Sequence, residues 1–358
     1  MTYYCSFMKY QMMVDLKQQG KNKIAPCCHF DESIDISEFE EKTSSYFDRL
    51  MNGEKIPQCK FCWKAEDAGL SSVRTGSVTW QPHDGGSGIK RMDIRIHNKC
   101  NLACTMCYSG ASNLWGKLEG NDTTRALTDD ELSFIRENAK NITHLSLQGG
   151  EPFYGPDYDE FLMSIDNLSN ISVDVFTNVI SIKREVIQRW HDKLRDLIIN
   201  ASVDGHGEVY DSIRWPTTWG KFEKNAKIIY DIVGKDKLTY YWTMQTENLN
   251  NIFDFIDWRD KETPGSKIET NMVMGSEELG ISSITLSERT LFDKNFRNYS
   301  SNRKMLNTDK DNSEYNQMKQ IHKIVMNTPI DNEKVAKKQE RLMQIYQLRQ
   351  SYKGKENV

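Results

Sequence analysis

No stretch of this sequence approaches the roughly 18 continuous apolar residues of a membrane span. Its opening, MTYYCSFMKYQMMVDLK, lacks the uninterrupted apolar core and cleavage site of a secretory signal. The expectation is a cytoplasmic protein that needs no membrane. Excess charge of one sign is missing too: 47 Lys and Arg stand against 51 Asp and Glu, a formal charge of −4. That balance gives no global electrostatic reason for a nucleic-acid or anionic-membrane partner. No internal repeat is visible, and 358 residues suffice for one large α/β domain or two medium ones.

What the chain does have is cysteine in two tight groups. Five of its eight cysteines fall before residue 63, and the other three lie between Cys100 and Cys107. Thiols stay reduced in the cytoplasm, so the grouping reads as metal ligands rather than a disulfide framework. Between the groups, Gln81 to Gly88 (QPHDGGSG) gathers Pro, Asp and Gly as a loop does, and a domain boundary is expected there. The divisions expected are residues 1–88, 89–290 and 291–358.

After Lys90, short β-type runs alternate with helical stretches. The strand candidates are MDIRIHN (from Met92), HLSLQ (from His144), and runs starting near Ile171, Leu197, Lys237 and Ile268. ELSFIRENAK (Glu131 to Lys140) and YDEFLMSIDNL (Tyr158 to Leu168) carry helical periodicity. Six strands with crossover helices indicate an α/β fold, a partial parallel (β/α)6 barrel with chemistry at the C-terminal strand ends. From about Leu286 the sequence turns polar and ends in a helix whose Val335, Leu342, Ile345 and Tyr352 share a face.

Cys100-Asn-Leu-Ala-Cys104-Thr-Met-Cys107 directly follows the first of these strands. Three thiolates in one loop can hold three irons of a cubane and leave the fourth open. A zinc site is the competing reading, but it needs four N or S ligands, and only His97 is near enough in sequence to complete this set. Gly149-Gly150-Glu151-Pro152 ends the next strand candidate, Thr177-Asn178 the third, and Ser202-Val203-Asp204-Gly205 the fourth, with Arg214 ten residues beyond Asp204.

In this order the motifs resemble the radical S-adenosylmethionine (SAM) superfamily: CNLACTMC its CxxxCxxC loop, with Asn98 just upstream, and GGEP its SAM-amino segment. The resemblance implies a SAM-binding [4Fe–4S] cluster on Cys100, Cys104 and Cys107. It also implies SAM contacts from Gly149, Gly150, Glu151, Asn178, Ser202, Asp204 and Arg214. Met106 stands where the family more often has an aromatic residue, which leaves Met106 and the adjacent Tyr108 as candidates for the adenine contact.

The amino-terminal cysteines are compatible with zinc or with a second iron–sulfur cluster on spacing alone. Cys5, Cys27-Cys28 and Cys59-Lys-Phe-Cys62 are similar to the twitch module of a radical SAM subgroup, where they would hold an auxiliary [4Fe–4S] cluster, through one or other of Cys27 and Cys28. That resemblance places a hairpin turn at Gly20 and a linking run through Trp63, Glu66, Gly69, Ser72 and Arg74. It implies an electron donor of flavodoxin or ferredoxin type, and hydrogen abstraction from a peptide, protein or small metabolite. RNA modification ranks lower, for want of a basic block or RNA-binding appendage. A zinc-stabilised binding protein without catalysis is the alternative from another class.

Overall fold

The protein is described here from a computed structural model, which covers residues 2–16, 23–67, 71–273, 276–305 and 313–356. Gly20 and Gly69 of the twitch-like pattern lie outside the described residues.

The fold is α/β, with a mostly parallel eight-stranded sheet. The strands are β1 (Gln11–Asp15), β2 (Lys23–Ala25), β3 (Arg91–Arg95), β4 (His144–Gln148), β5 (Ser172–Thr177), β6 (Asp196–Ser202), β7 (Leu238–Met244) and β8 (Lys267–Met272). All six strands expected from the sequence form. Two more, β1 and β2, come from the cysteine-rich amino-terminal segment. Gln11, Met12, Met13 and Val14 of β1 are all buried, so this strand has no alternation of buried and exposed positions by which to recognise it.

The chain divides into two compact units. The first takes Met1–Lys99, Thr124–Phe176 and Gln188–Ile198. In it β1 pairs antiparallel with β2 (Met13 opposite Ala25) and parallel with β3 (Met13 opposite Asp93), and β3 pairs in parallel with β4 (Arg95 opposite Gln148). The helix Asp129–Ala139 starts at a reciprocal cap, in which Thr128 accepts from the Glu131 amide and Glu131 from that of Thr128.

The second unit takes Cys100–Thr123, Thr177–Ile187 and Ile199–Val358. There β6, β7 and β8 are parallel neighbours. Leu238, Tyr240, Trp242 and Met244 alternate along β7 and are fully buried. The Tyr240 ring meets Phe255 at 5.1 Å and Trp258 at 6.0 Å, both from the helix Ile252–Glu262, which fixes that helix on the strand.

Beyond residue 286 the polar stretch is itself helical, in Leu286–Met305, Ser313–Asn327 and Asn332–Glu356. Phe292, Phe296 and Tyr299 recur at helical spacing, and the Phe296 ring stacks on His322 at 4.2 Å. Among the described residues no helix is long and apolar enough to cross a membrane.

Candidate active site

In the first unit, β3 and β4 bring the GGEP turn against the chain that leads into the cysteine loop. The Gly150 amide donates to the carbonyl of His97 (3.0 Å) and the Glu151 amide to that of Lys99 (2.8 Å). A Cβ on Gly150 would overlap the Lys99 carbonyl, so glycine is required by close approach. Gly149 adds a backbone requirement, with φ +137°. Tyr158 locks the pair of strand ends: its hydroxyl donates to the Gln148 carbonyl and accepts from the Ile96 amide at 3.0 Å. Asn98 completes the brace, accepting from the Arg125 amide at 2.8 Å. Glu151 is fully buried, and one carboxylate oxygen accepts from the Phe153 amide at 3.1 Å. His97 lies beside Asp157 at 3.6 Å and edge-on to Tyr158, and burial holds its pKa below the ordinary value.

In the second unit the cysteine loop is held by side chains from its own flank. The Cys100 amide donates to Asn113 Oδ1 (2.9 Å), Ser112 Oγ to the Leu102 carbonyl (2.6 Å), and Trp115 Nε1 to the Cys104 carbonyl (2.9 Å). The loop also forms a short ladder with the segment at Arg214: the Ala103 amide reaches the Trp215 carbonyl (2.8 Å) and the Thr105 amide the Ile213 carbonyl (3.0 Å). Cys104 is buried and Cys107 half-buried, and burial pushes the Cys107 thiol up to about 12. Burial raises Cys104 as well, with Arg214 and Arg349 pulling it down. Thiols in such surroundings stay protonated until a metal takes the place of the proton.

Asn178 sits at Cys100. Its Nδ2 lies 3.9 Å from Cys100 Sγ and 2.7 Å from Asn101 Oδ1, while its Oδ1 accepts from the Ile180 amide at 2.9 Å, which fixes the rotamer. The Leu102 amide donates to the same sulfur at 3.4 Å. Hydrogen bonds to sulfur are one of the levers that tune an iron–sulfur cluster. The donor chemistry of the loop therefore fits a cluster, with three thiols and one ligand fewer than a cubane has irons.

Asp204 is fully buried in a left-handed conformation (φ 54°). One carboxylate oxygen accepts from the Thr243 amide (2.6 Å) and the other pairs with Arg214, so both are engaged within the protein. Asn248 donates to the Asp204 carbonyl (3.0 Å) and the Thr243 carbonyl (2.9 Å). Asp204 and Arg214 thus join the end of β7 to the segment that backs the cysteine loop. Ser202 is half-buried at the end of β6, Met106 is half-buried, and Tyr108 is exposed. Nearby buried atoms have no partner among the described residues: Arg214 Nε, Gln245 Oε1 and Thr246 Oγ1. Buried polar groups are nearly always bonded, so these three fit a polar ligand such as SAM.

The amino-terminal cysteines lie in the first unit. Cys5 precedes the helix Ser6–Tyr10, Cys27 follows β2, Cys59 ends the 3-10 turn Pro57–Cys59, and Cys62 lies in the helix Lys60–Asp67. All four are buried, whereas Cys28 is exposed. Burial raises Cys5, Cys27 and Cys59, the last to about 12, and neighbouring thiols push each further: Cys62 on Cys5, Cys5 on Cys27, and Cys5 and Cys62 on Cys59. The run that follows is scaffold. Arg74 pairs with Glu66 at 2.5 Å, donates to the Tyr4 carbonyl at 3.0 Å and lies over Trp63, while Ser72 donates to Glu66 at 2.6 Å. Among the described residues no three His, Cys, Asp or Glu side chains converge as ligands of a single metal ion.

Asn113, Ser112, Trp115, Gln245, Asn248 and Arg349 were not singled out in the sequence. Gln245 reaches the Thr105 hydroxyl and the others bond backbone atoms rather than forming a motif, and no local pattern marks such a role.

With this geometry the chain can be compared with known proteins. Residues 94–259 match the family model described as the Radical SAM superfamily. Over 147 residues the chain is 27% identical to a protein of Methanocaldococcus jannaschii described as a probable GTP 3′,8-cyclase, covering 39% of this chain and 44% of that relative. A relative of the same description in Methanococcus maripaludis is 27% identical over 123 residues, or 33% of this chain and 38% of its own length. The chain thus spans less than half the length of these curated relatives. Two solved structures align more loosely: native anSMEcpe with bound AdoMet (18% identity, 59% of each chain, TM-score 0.45) and HydG, a maturase of the [FeFe]-hydrogenase (11% identity, 60% of this chain and 53% of that one, TM-score 0.38).

The α/β fold and the match to the Radical SAM superfamily, which spans a little under half of the chain, support an enzyme. The segment from Ile94 to Arg259 is the part similar to radical SAM domains.

Proposed function

We propose that the protein cleaves SAM reductively at a [4Fe–4S] cluster held by Cys100, Cys104 and Cys107, and uses the resulting 5′-deoxyadenosyl radical to abstract hydrogen from a substrate. The observation that carries this reading is the cysteine loop itself, three thiols with both flanks braced and with Asn178 hydrogen-bonding at the Cys100 sulfur. When bound, the cluster supplies an open iron for the amine and carboxylate of SAM and one electron for its C–S bond.

The chain's own residues do the rest. Asn113, Ser112 and Trp115 hold the loop's backbone so that the three thiols keep one arrangement. The GGEP turn presents Glu151 and the backbone of Gly149 and Gly150 to the SAM amino group. Asn178, Ser202, Arg214 and Gln245 supply polar contacts to the rest of SAM, with Asp204 holding Arg214 in place. Half-buried Met106 and exposed Tyr108 would flank the adenine.

The expected hydrogen donors were peptides, proteins and small metabolites. The curated relatives are named for a small-molecule reaction, which brings that class forward, and a cavity of about 660 Å³ lined by Glu247, Asn250, Asn295 and Tyr299 is of small-molecule size. A flavodoxin- or ferredoxin-like protein supplies the electron. Cys5, Cys27, Cys59 and Cys62 hold an auxiliary cluster, with exposed Cys28 left out. Residues 1–88, 89–290 and 291–358 act as cluster module, radical SAM core and helical tail of a cytoplasmic protein.

The test is iron, sulfide and zinc per chain after anaerobic reconstitution, followed by 5′-deoxyadenosine formation from SAM with dithionite, with and without GTP. About eight irons with cleavage supports both clusters, and about four with cleavage supports the SAM cluster alone. Zinc without iron or cleavage overturns the reading.

A further inference from the structure

The last helix, Asn332–Glu356, carries no motif, yet it lies on the cysteine loop. Its Ile345 is buried in one cluster with Ala103, Trp115 and Leu118, against which Cys107, Trp215, Leu348 and Tyr352 also pack. Arg349, one turn further on, is 8% exposed. Its guanidinium donates through Nη2 to the Ala103 carbonyl (2.7 Å) and through Nη1 to the Ser212 carbonyl (2.7 Å), with Ile213 O at 3.5 Å. The Ala103 and Ile213 carbonyls belong to the two segments of the short ladder described above, Ala103–Thr105 and Ile213–Trp215, and Ser212 directly precedes the second. The fork therefore ties the residue before Cys104 to the segment that carries Arg214. Trp215 lies under the cation at 5.5 Å.

The charge of Arg349 is as notable as its shape. Among the described residues Arg349 forms no ion pair, and its Nε has no partner there. Burial pulls its pKa down to about 10, opposed by Glu247 and by Cys104 when that thiol is ionised, so it remains a cation at neutral pH. A buried cation satisfied only by carbonyls is costly unless negative charge stands near it. Glu247 supplies part of such charge, and a cluster on three thiolates supplies more, gaining one further negative charge on reduction.

We propose that Arg349 is a positioning residue for the cluster, fixing the backbone of the cysteine loop through its fork and raising the cluster's reduction potential through its charge beside Cys104. This rests on the reading that Cys100, Cys104 and Cys107 hold a [4Fe–4S] cluster. The carboxy-terminal helix thus contributes to the redox step without touching SAM or substrate.

The experiment compares the full chain with R349Q and R349K. It uses redox titration followed by electron paramagnetic resonance of reconstituted protein, and amide hydrogen exchange of residues 102–106 in the metal-free protein. R349Q should lower the midpoint potential and speed exchange by about tenfold or more, the loss of a hydrogen bond to a charged group. R349K, with a charge but no planar fork, should recover part of the potential and little of the protection. Should R349Q fail to fold, a lower potential and faster exchange in R349K sustain the proposal, and wild-type values of both overturn it. A wild-type potential in folded R349Q overturns it while leaving the SAM reading intact, provided the unaltered chain binds iron and cleaves SAM. An unaltered chain that binds no iron removes both.

Discussion

Asn178 places its amide nitrogen 3.9 Å from the sulfur of Cys100 while its carbonyl oxygen is held by the Ile180 amide. The residue is fixed at one end by its own turn, and at the other its amide nitrogen hydrogen-bonds the sulfur and Asn101. Asn178→Ala should leave the fold intact and reduce SAM cleavage about 10–100-fold, the usual effect of losing an outer partner of a metal ligand. Iron content with 5′-deoxyadenosine yield checks this, and an unchanged yield would mean that the contact has no effect on the cluster.

Cys104→Ala removes a thiol but keeps the Cys104 carbonyl that Trp115 holds. The loop's frame should therefore survive, with circular dichroism close to that of the parent. The SAM cluster and its cleavage activity should be lost. Cleavage retained at the parent rate would refute the ligand assignment.

Cys59 and Cys62 lie in the first unit and Cys100, Cys104 and Cys107 in the second. Changing Cys59 and Cys62 together to Ala should halve the iron of a two-cluster protein and spare uncoupled SAM cleavage. Simultaneous loss of all iron would contradict the independence of the two groups.

Gly150→Ala drives a methyl group into the Lys99 carbonyl. Overpacking of this kind costs about 1–3 kcal/mol. A lower melting temperature in metal-free protein is the expected result, separate from any effect on SAM. An unchanged melting temperature would show that the turn yields without cost.

The carboxyl of Asp93 on β3 is pushed up to about 6 by burial, with Arg95 and Arg91 opposing and Asp15 and Asp174 adding to the rise. Gln148 Nε2 donates to it at 2.8 Å. A raised acid is protonated in the folded chain while the unfolded chain has ionised it, so its contribution to stability is present below about pH 4 and lost as pH rises through about 6. Asp93→Asn keeps the acceptor for Gln148 and removes the titration. The variant should gain about 1–3 kcal/mol on the parent near pH 7 and lose that gain by about pH 4. Denaturation at the two pH values tests the sign.

The six strands after Lys90 were legible because each runs between turn residues, and β5 and β7 alternate buried and less buried positions along their length. β1 escaped notice because both of its faces are buried, so the periodicity that marks a half-buried strand is absent. The cysteine loop and GGEP were legible for a different reason. Their chemistry demands particular residue types at short spacing, and short spacing survives in sequence. Asp204 was legible as a motif residue, but its engagement with Thr243 and Arg214 was not, since those partners are 39 and 10 residues away.

The sequence by itself determined the identity and spacing of the thiols, the glycines required by close backbone approach, and the order of the strands after Lys90. Each depends on neighbours within a few residues. Only the tertiary structure decided that Cys27 turns inward and Cys28 outward, that Asn178 meets the Cys100 sulfur, and that Arg349 joins Ala103 across 246 residues. A backbone carbonyl accepts from any suitably placed donor and so leaves no trace in local sequence. What places the donor there is the packing of Ile345 with Ala103, Trp115 and Leu118, which exists only once the chain has folded.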